Sequence, residues 1–162
     1  MKILVLNGPN LNLLGIREPE VYGTRTYDEL VAFIRAAAAD RGIEADVRQS
    51  NHEGVLIDAI HEARGSCDGI VINAGAYTHT SIALLDALVA VGLPAVEVHL
   101  SDPDARDEFR RVSYLRSACS ASVKGKGFDG YAEALDVLQQ AAAAAEDGAA
   151  GIEPGVAPGI QP

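Results

Sequence analysis

One stretch of the chain carries a complete strand–helix–strand pattern, GIVINAGAYTHTSIALLDALVAVGLPAVEVH, at residues 69–99. Its first part, Gly69–Asn73, is apolar until its last residue, and its last part, Ala95–His99, is mainly apolar, which is typical of buried strands in a parallel sheet. Ser81 to Val91 has a helical pattern between them and is followed by a glycine and a proline, which end helices. The stretch therefore predicts two parallel strands joined by a helix.

The remainder of the chain repeats this alternation. Short apolar runs predict further strands, and amphipathic patterns predict further helices. The strands are expected at residues 3–6, 45–49 and 121–124, and the helices at 27–41, 56–63 and 131–145. Such alternation favours an α/β fold with a parallel sheet and helices on both faces. Five strands suggest the flavodoxin-like doubly wound order 2-1-3-4-5, in which ligands bind beyond the carboxyl ends of the strands.

A change of composition divides the 162 residues into two parts. The last 17 residues hold three of the seven prolines and four of the sixteen glycines, and they show no apolar periodicity. We therefore expect a single domain at residues 1–145, followed by a disordered or loosely attached tail at 146–162.

Charge and cysteine usage exclude several classes of partner. Lys and Arg number 13 against 23 Asp and Glu, a net charge of −10. This acidity argues against nucleic acid and anionic membranes as partners. The first residues hold an apolar run of only four, too short for a signal peptide, and no segment has the length of a membrane span. Two cysteines, Cys67 and Cys119, make no disulfide framework. These features predict a cytoplasmic protein.

The predicted strand ends carry polar side chains that suit chemistry. Glu97 and His99 alternate along one strand and therefore face the same side. A carboxylate beside an imidazole fixes its orientation and favours its protonated form, which suits a proton donor. A hydrogen-bonded structural histidine is an equally good interpretation. His79 and His99 also suggest metal ligands, but no third ligand has a recognisable spacing.

The arginines of two segments are open to two interpretations each. Arg17 lies near Tyr22 in a loop without apolar periodicity, where a guanidinium lowers the pKa of a phenol and makes it a usable base. A packed tyrosine beside a surface arginine is the simpler interpretation. A second group, Arg106, Arg110, Arg111 and Arg116, forms either ion pairs with neighbouring acids or a pocket for a small anion.

The chain lacks the motifs of other common α/β functions. It has no phosphate-binding P-loop, no G-x-G-x-x-G after the first strand and no G-x-S-x-G elbow. The residues alone therefore indicate a flavodoxin-like enzyme or a non-catalytic flavodoxin-like module that binds a small anion.

Five separated motifs, in this order, resemble those of type II 3-dehydroquinate dehydratases. They are NGPNLNLLGIREPEVYG, RQSNHEG, INAGAYTHTSIAL, VEVHLS and ARDEFRR. The resemblance runs from about residue 3 to about residue 135. It implies a flavodoxin-like hydro-lyase of the shikimate pathway that converts 3-dehydroquinate to 3-dehydroshikimate. It also implies that the enzyme needs no cofactor or metal and assembles as a homododecamer, a tetramer of trimers.

The resemblance assigns the chemical roles. Tyr22 matches the base that removes the C2 proton, and Arg17 matches the residue that stabilises its phenolate and the transition state. Asn10 matches the residue that positions a water on the enolate oxygen. His99 matches the acid that protonates the departing C1 hydroxyl, with Glu97 as the partner that orients it.

The resemblance also assigns the substrate contacts. The backbone of Leu100 and Ser101 matches the carboxylate site, and Arg110 matches an arginine at the ring hydroxyls. Asn73 and His79 match residues that hold hydroxyls and the carboxylate region. Asp86 matches an acidic residue that reaches the site of a neighbouring subunit in the trimer.

Overall fold

The computed structural model describes residues 1–16, 24–105 and 107–150, with side chains to residue 145. Strands and helices alternate along these residues. The strands are β1 Lys2–Asn7, β2 Glu44–Gln49, β3 Gly69–Asn73, β4 Ala95–His99 and β5 Ala121–Lys124. The α-helices are α1 Tyr27–Ala39, α2 Glu53–Ala63, α3 Ile82–Val91 and α4 Asp129–Ala150.

The strands form one parallel sheet in the order β2-β1-β3-β4-β5, which confirms the predicted doubly wound fold. The last residues of β1 and β3, Asn7 and Asn73, are paired across the sheet. In the next pair of strands, Ile72 of β3 lies opposite Glu97 of β4. The register therefore brings the polar ends of three neighbouring strands to one edge of the sheet.

Two apolar cores lie on opposite faces of the sheet because successive side chains of a strand point to opposite sides. Ile3 and Val5 pack with α1 and α4 on one face, whereas Leu4 and Leu6 pack with α2 and α3 on the other. The chain thus leaves β1 towards one face and β3 towards the other. The gap between these two strands is the switch point at which doubly wound sheets bind ligands.

Local sequence signals explain where the helices begin. Thr26 and Glu29 form a reciprocal capping box at the start of α1, and the Ser81 hydroxyl accepts a hydrogen bond from the Leu84 amide at the start of α3. Both arrangements satisfy amide groups that would otherwise lack partners. Helix α1 ends at Ala39, two residues before its predicted end, because Gly42 follows in a left-handed turn.

The segment between β4 and β5 forms short turns and no α-helix over its described residues. Short 3₁₀ turns occupy Pro103–Ala105, Glu108–Arg110 and Leu115–Ala118.

Helix α4 begins two residues earlier than predicted and its backbone continues to Ala150, past the predicted domain boundary at Ala145. The separate tail at residues 146–162 stays a prediction, since residues 151–162 lie outside the described part of the chain. Within that part, no helix has the length and hydropathy needed to cross a membrane.

Candidate active site

A cleft opens at the carboxyl edge of the sheet, beside the switch point. Its volume is about 780 Å³ with its open mouth included. Among the described residues, its walls carry one arginine and two histidines but no carboxylate. The lining residues are Pro9, Asn10, Leu11, Leu14, Asn73, Gly75, Ala76, His79, His99, Leu100, Ser101, Pro103 and Arg110. In a protein of net charge −10, such a wall favours a small anion.

Asn10 enters the cleft from a strained turn. Its φ of 65° makes it the one non-glycine residue with positive φ in the described part of the chain. Asparagine tolerates this left-handed conformation better than most residues. The Asn10 amide donates to Oδ1 of Asn51 at 2.9 Å, and Gln49 Nε2 donates to the same oxygen at 3.1 Å. The turn after β2 therefore holds the turn after β1.

His79 is fixed by the segment that precedes β5. Its Nδ1 lies 2.6 Å from the carbonyl oxygen of Val112. Because a carbonyl oxygen only accepts, Nδ1 carries the hydrogen in this contact. The amide of the residue after next, Tyr114, donates to the Thr78 carbonyl at 3.0 Å. Nε2 of His79 has no hydrogen-bond partner among the described residues and can contact a ligand in the cleft.

His99 and Glu97 form a buried pair on β4. Nε2 of His99 lies 3.0 Å from Oε1 of Glu97, with side-chain exposures of 9% and 0%. The approach is oblique, so the contact has the distance of an ion pair without the direction of a good hydrogen bond. The pair lies on the α2 and α3 side of the sheet, opposite to Val98, which packs in the other core. Glu97 lies behind His99 and does not line the cleft.

Glu97 has further partners that keep it charged. Ser113 donates to Oε1 at 2.6 Å, Ser122 donates to Oε2 at 3.0 Å, and Arg116 Nε lies 3.8 Å from Oε2. Burial raises the pKa of this carboxyl, but the contacts with His99, Ser113 and Ser122 outweigh it and lower the pKa to about 2. The buried carboxyl is therefore ionised at neutral pH.

Arg110 brings positive charge to the mouth of the cleft. Its guanidinium carbon lies 4.9 Å from the centre of the Phe109 ring, and Nε lies 3.8 Å from Asp107. This Nε is buried and has no hydrogen-bond partner among the described residues. The Arg110 guanidinium therefore has capacity to bind an anion or a hydroxyl oxygen.

The chain is similar to known proteins over most of its length. The model of the family Dehydroquinase class II matches residues 1–139. The chain belongs to this family. A 3-dehydroquinate dehydratase 1 of Corynebacterium efficiens is 56% identical over 137 residues, which are 85% of this chain and 91% of that protein. A catabolic 3-dehydroquinase 2 of Aspergillus flavus is 55% identical over 133 residues, 82% of this chain and 89% of that protein.

A solved structure resembles the fold closely. The type II dehydroquinase of Butyrivibrio crossotus superposes with a TM-score of 0.84 at 49% identity, covering 86% of this chain and 97% of that one. The sequence resemblance to type II dehydratases is thus confirmed as family membership, over nearly the same residues as the five motifs.

The class II dehydroquinase cleft brings together most of the residues selected from the sequence. Asn10, Asn73, His79, His99, Leu100, Ser101 and Arg110 all line it. Asp86 lies exposed on α3 and does not line the cleft of its own chain. Arg17, Tyr22 and Arg106 lie outside the described residues, and their roles stay predictions.

The sequence patterns did not reveal the residues that support the Glu97–His99 pair. Ser113 and Ser122 hold Glu97 from positions 16 and 25 residues further along the chain. A signal existed for Ser122, because it lies directly opposite Glu97 in the register of β4 and β5. A polar residue in the middle of an otherwise apolar strand requires a partner on the neighbouring strand. Nothing in the sequence pattern indicates Ser113.

Proposed function

We propose that this chain is a hydro-lyase of the shikimate pathway, which removes water from 3-dehydroquinate to give 3-dehydroshikimate. One observation carries the proposal. The buried Glu97–His99 pair stands at a cleft whose described lining has no carboxylate, in a member of the class II dehydroquinase family. A proton donor beside a positively charged wall suits a carboxylate substrate that must lose a hydroxyl.

The reaction needs a base, a stabiliser of negative charge and an acid. The C2 proton of the substrate is α to a ketone, so its removal gives an enolate. The Tyr22 phenolate takes this proton, and Arg17 favours the phenolate and stabilises the developing charge. Asn10 holds a water on the enolate oxygen. In this proposal each group comes from the stretch of sequence that follows β1.

The second step expels the C1 hydroxyl. His99 gives it a proton, the C1–O bond breaks and water leaves, while the electrons of the enolate form the C1–C2 double bond. The ionised Glu97, whose Oε1 lies 3.0 Å from Nε2 of His99, orients the ring for this transfer. The acid ends strand β4, whereas the base belongs to the stretch of sequence that follows β1, and this separation suits elimination from opposite faces of the substrate ring.

The remaining cleft residues bind the substrate. The backbone amides of Leu100 and Ser101 take the carboxylate, and Asn73, His79 and Arg110 take the hydroxyls and the carboxylate region. The support for this assignment is that all five line one cleft and that, among the described residues, Nε of Arg110 has no hydrogen-bond partner.

We also propose a cytoplasmic homododecamer, a tetramer of trimers, in which Asp86 reaches the neighbouring site. Two apolar side chains on α3 support an interface there, since Ile82 and Val89 on either side of Asp86 are 49% and 64% exposed. Light scattering coupled to size exclusion tests the assembly, and Asp86→Ala tests its role in turnover.

The decisive experiment is turnover of 3-dehydroquinate, followed by the ultraviolet absorbance of the conjugated enone product, with EDTA present. We expect activity in the parent and its collapse in Tyr22→Phe and His99→Ala. Tyr114→Phe serves as the control, since Tyr114 is 41% exposed, and it keeps the parent activity. Activity that persists in Tyr22→Phe contradicts the base assignment. A folded parent without turnover favours the non-catalytic anion-binding module.

A further inference from the structure

Tyr131 connects the last helix to the ends of two central strands. It lies in the first turn of α4 and is 1% exposed. Its hydroxyl lies 2.6 Å from Oδ1 of Asn7, which is 124 residues away in the sequence, and 3.0 Å from Nδ2 of Asn73. Tyr131 does not line the cleft, whereas Asn73 does. The tyrosine thus contacts a cleft residue from behind.

The direction of these hydrogen bonds follows from what each atom can donate. The Gly75 amide donates to Oδ1 of Asn73 at 3.3 Å, which leaves Nδ2 of Asn73 facing the phenol. A phenol has one hydrogen, and burial raises the pKa of Tyr131, so that hydrogen stays in place. The phenol therefore accepts from Asn73 and donates to Asn7.

We propose that Tyr131 is a positioning residue, which fixes the side-chain amide of Asn73 so that its second N–H is directed at a hydroxyl of the bound substrate. The proposal rests on the proposed function, in which Asn73 binds that hydroxyl. Without the phenol, only the 3.3 Å contact from the Gly75 amide opposes a half-turn of the Asn73 amide, which presents its oxygen where its nitrogen was. Such a rotation exchanges a donor for an acceptor at the substrate.

The first test is Tyr131→Phe, which removes one oxygen atom. A contact with a non-reacting hydroxyl contributes equally to the bound substrate and to the transition state, so its loss changes KM more than kcat. We expect KM for 3-dehydroquinate to rise about tenfold, as for the loss of one hydrogen bond, while kcat stays near the parent value. Leu135→Val, on the same helix and 0% exposed, is the control for lost stability and keeps the parent KM.

A double-mutant cycle separates positioning from general damage. If Tyr131 acts through Asn73, then Tyr131→Phe has little further effect on KM in an Asn73→Ala background. Equal effects of Tyr131→Phe in both backgrounds overturn the proposal, as does a parent-like KM in the single variant. Both outcomes presuppose an active parent, so they are distinct from a failure of the proposed function, in which the parent itself has no turnover.

A second measurement needs no variant. In a crystal structure of the parent with 3-dehydroshikimate, we expect Asn73 Nδ2 to lie within hydrogen-bond distance of a product hydroxyl while its other hydrogen contacts Tyr131. A product that does not contact Asn73, or an Asn73 amide that has left Tyr131, overturns the proposal even if Tyr131→Phe fails to fold.

Discussion

Oε1 of Glu97 lies 3.0 Å from Nε2 of His99 and accepts a hydrogen bond from the Ser113 hydroxyl at 2.6 Å. The proposed acid and a serine therefore share one carboxylate oxygen. The other oxygen, Oε2, accepts from Ser122 of β5 at 3.0 Å. One buried carboxylate thus has an oxygen that contacts His99 and an oxygen that is fixed to the sheet.

The different contacts of the two Glu97 oxygens predict different effects for two similar substitutions. Ser113→Ala and Ser122→Ala each remove one hydrogen bond to a buried charge, so we expect each to lower the free energy of unfolding by about 2 kcal/mol. Only Ser113→Ala changes the environment of the oxygen beside His99. We therefore expect a clear fall in kcat, about tenfold, for Ser113→Ala and a smaller change for Ser122→Ala.

Urea unfolding and steady-state kinetics on the two serine variants check this prediction. A Ser113→Thr variant keeps the hydroxyl and is expected to recover most of the lost activity. Equal kcat values in Ser113→Ala and Ser122→Ala at equal losses of stability contradict the distinction between the two oxygens.

Glu97 also predicts how stability depends on pH. Its pKa is about 2 in the folded chain against an ordinary 4.5, so unfolding raises the affinity of this group for protons. The carboxylate therefore stabilises the fold above about pH 5, and this contribution is lost as the pH falls towards 2. The difference in pKa corresponds to a contribution on the order of 3 kcal/mol at neutral pH.

Urea unfolding of the parent and of Glu97→Gln between pH 7 and pH 3 tests this contribution. We expect the variant to have the lower free energy of unfolding at pH 7. The gap between the free energies of the two proteins should narrow as the pH falls. The other carboxylates are common to both proteins and cancel in the difference. A gap that is constant with pH contradicts the lowered pKa.

Two glycines are expected to respond to alanine in opposite directions. A Cβ on Gly8 would lie 2.4 Å from the backbone oxygen of Ala74, whereas a Cβ on Gly54 in α2 would have no atom within 4 Å. Gly8→Ala must therefore separate the ends of β1 and β3, with a loss of about 3 kcal/mol or more and a loss of turnover. Gly54→Ala is expected to stabilise the helix by about 0.5–1 kcal/mol. Thermal unfolding of both variants checks this, and a parent-like Gly8→Ala contradicts it.

An ion pair between the turn after α1 and helix α4 affects stability without affecting the cleft. Arg41 donates to both oxygens of Asp136 of α4, at 2.6 and 2.9 Å, and to the Ala37 carbonyl at 2.8 Å. Asp136 is 45% exposed, so solvent weakens the pair, and we expect Arg41→Ala to lower stability by about 1 kcal/mol with unchanged kcat and KM. Arg41→Lys retains the charge but not the bidentate contact, so its stability should lie between those of the parent and of Arg41→Ala. An additive effect of Arg41→Ala and Asp136→Ala contradicts the pairing.

The fold could be predicted from local patterns because buried strands and capped helices leave strong signals. The bounds of β3, β4 and β5 agree with the predicted runs at 69–73, 95–99 and 121–124. The segment after β4 could not be predicted, because its short 3₁₀ turns are too brief to show a period. Its arrangement depends instead on distant contacts, such as that between Val112 and His79.

The candidate site could be predicted as far as its location and its face. Alternation along β4 placed Glu97 and His99 together, and the carboxyl edge of the sheet gathered the asparagines. The hydrogen bonds that hold these side chains could not be predicted, because they join residues far apart in the sequence and depend on one oxygen atom each. Tyr131 shows this most clearly, since an aromatic residue at helical spacing is more often part of the core.

The hydrogen bonds from Ser113, Ser122 and Tyr131 have a consequence for biosynthesis. These three residues are made after Asn7, Asn73 and the Glu97–His99 pair, so the ribosome releases the proposed acid and its carboxylate partner before the residues that support them. Until they emerge, the nascent chain holds the Glu97 carboxylate without its two serine donors and two asparagines with no phenol between them. We therefore expect that translation arrested before residue 113 leaves a chain that is still unable to turn over substrate, however long it is given to fold.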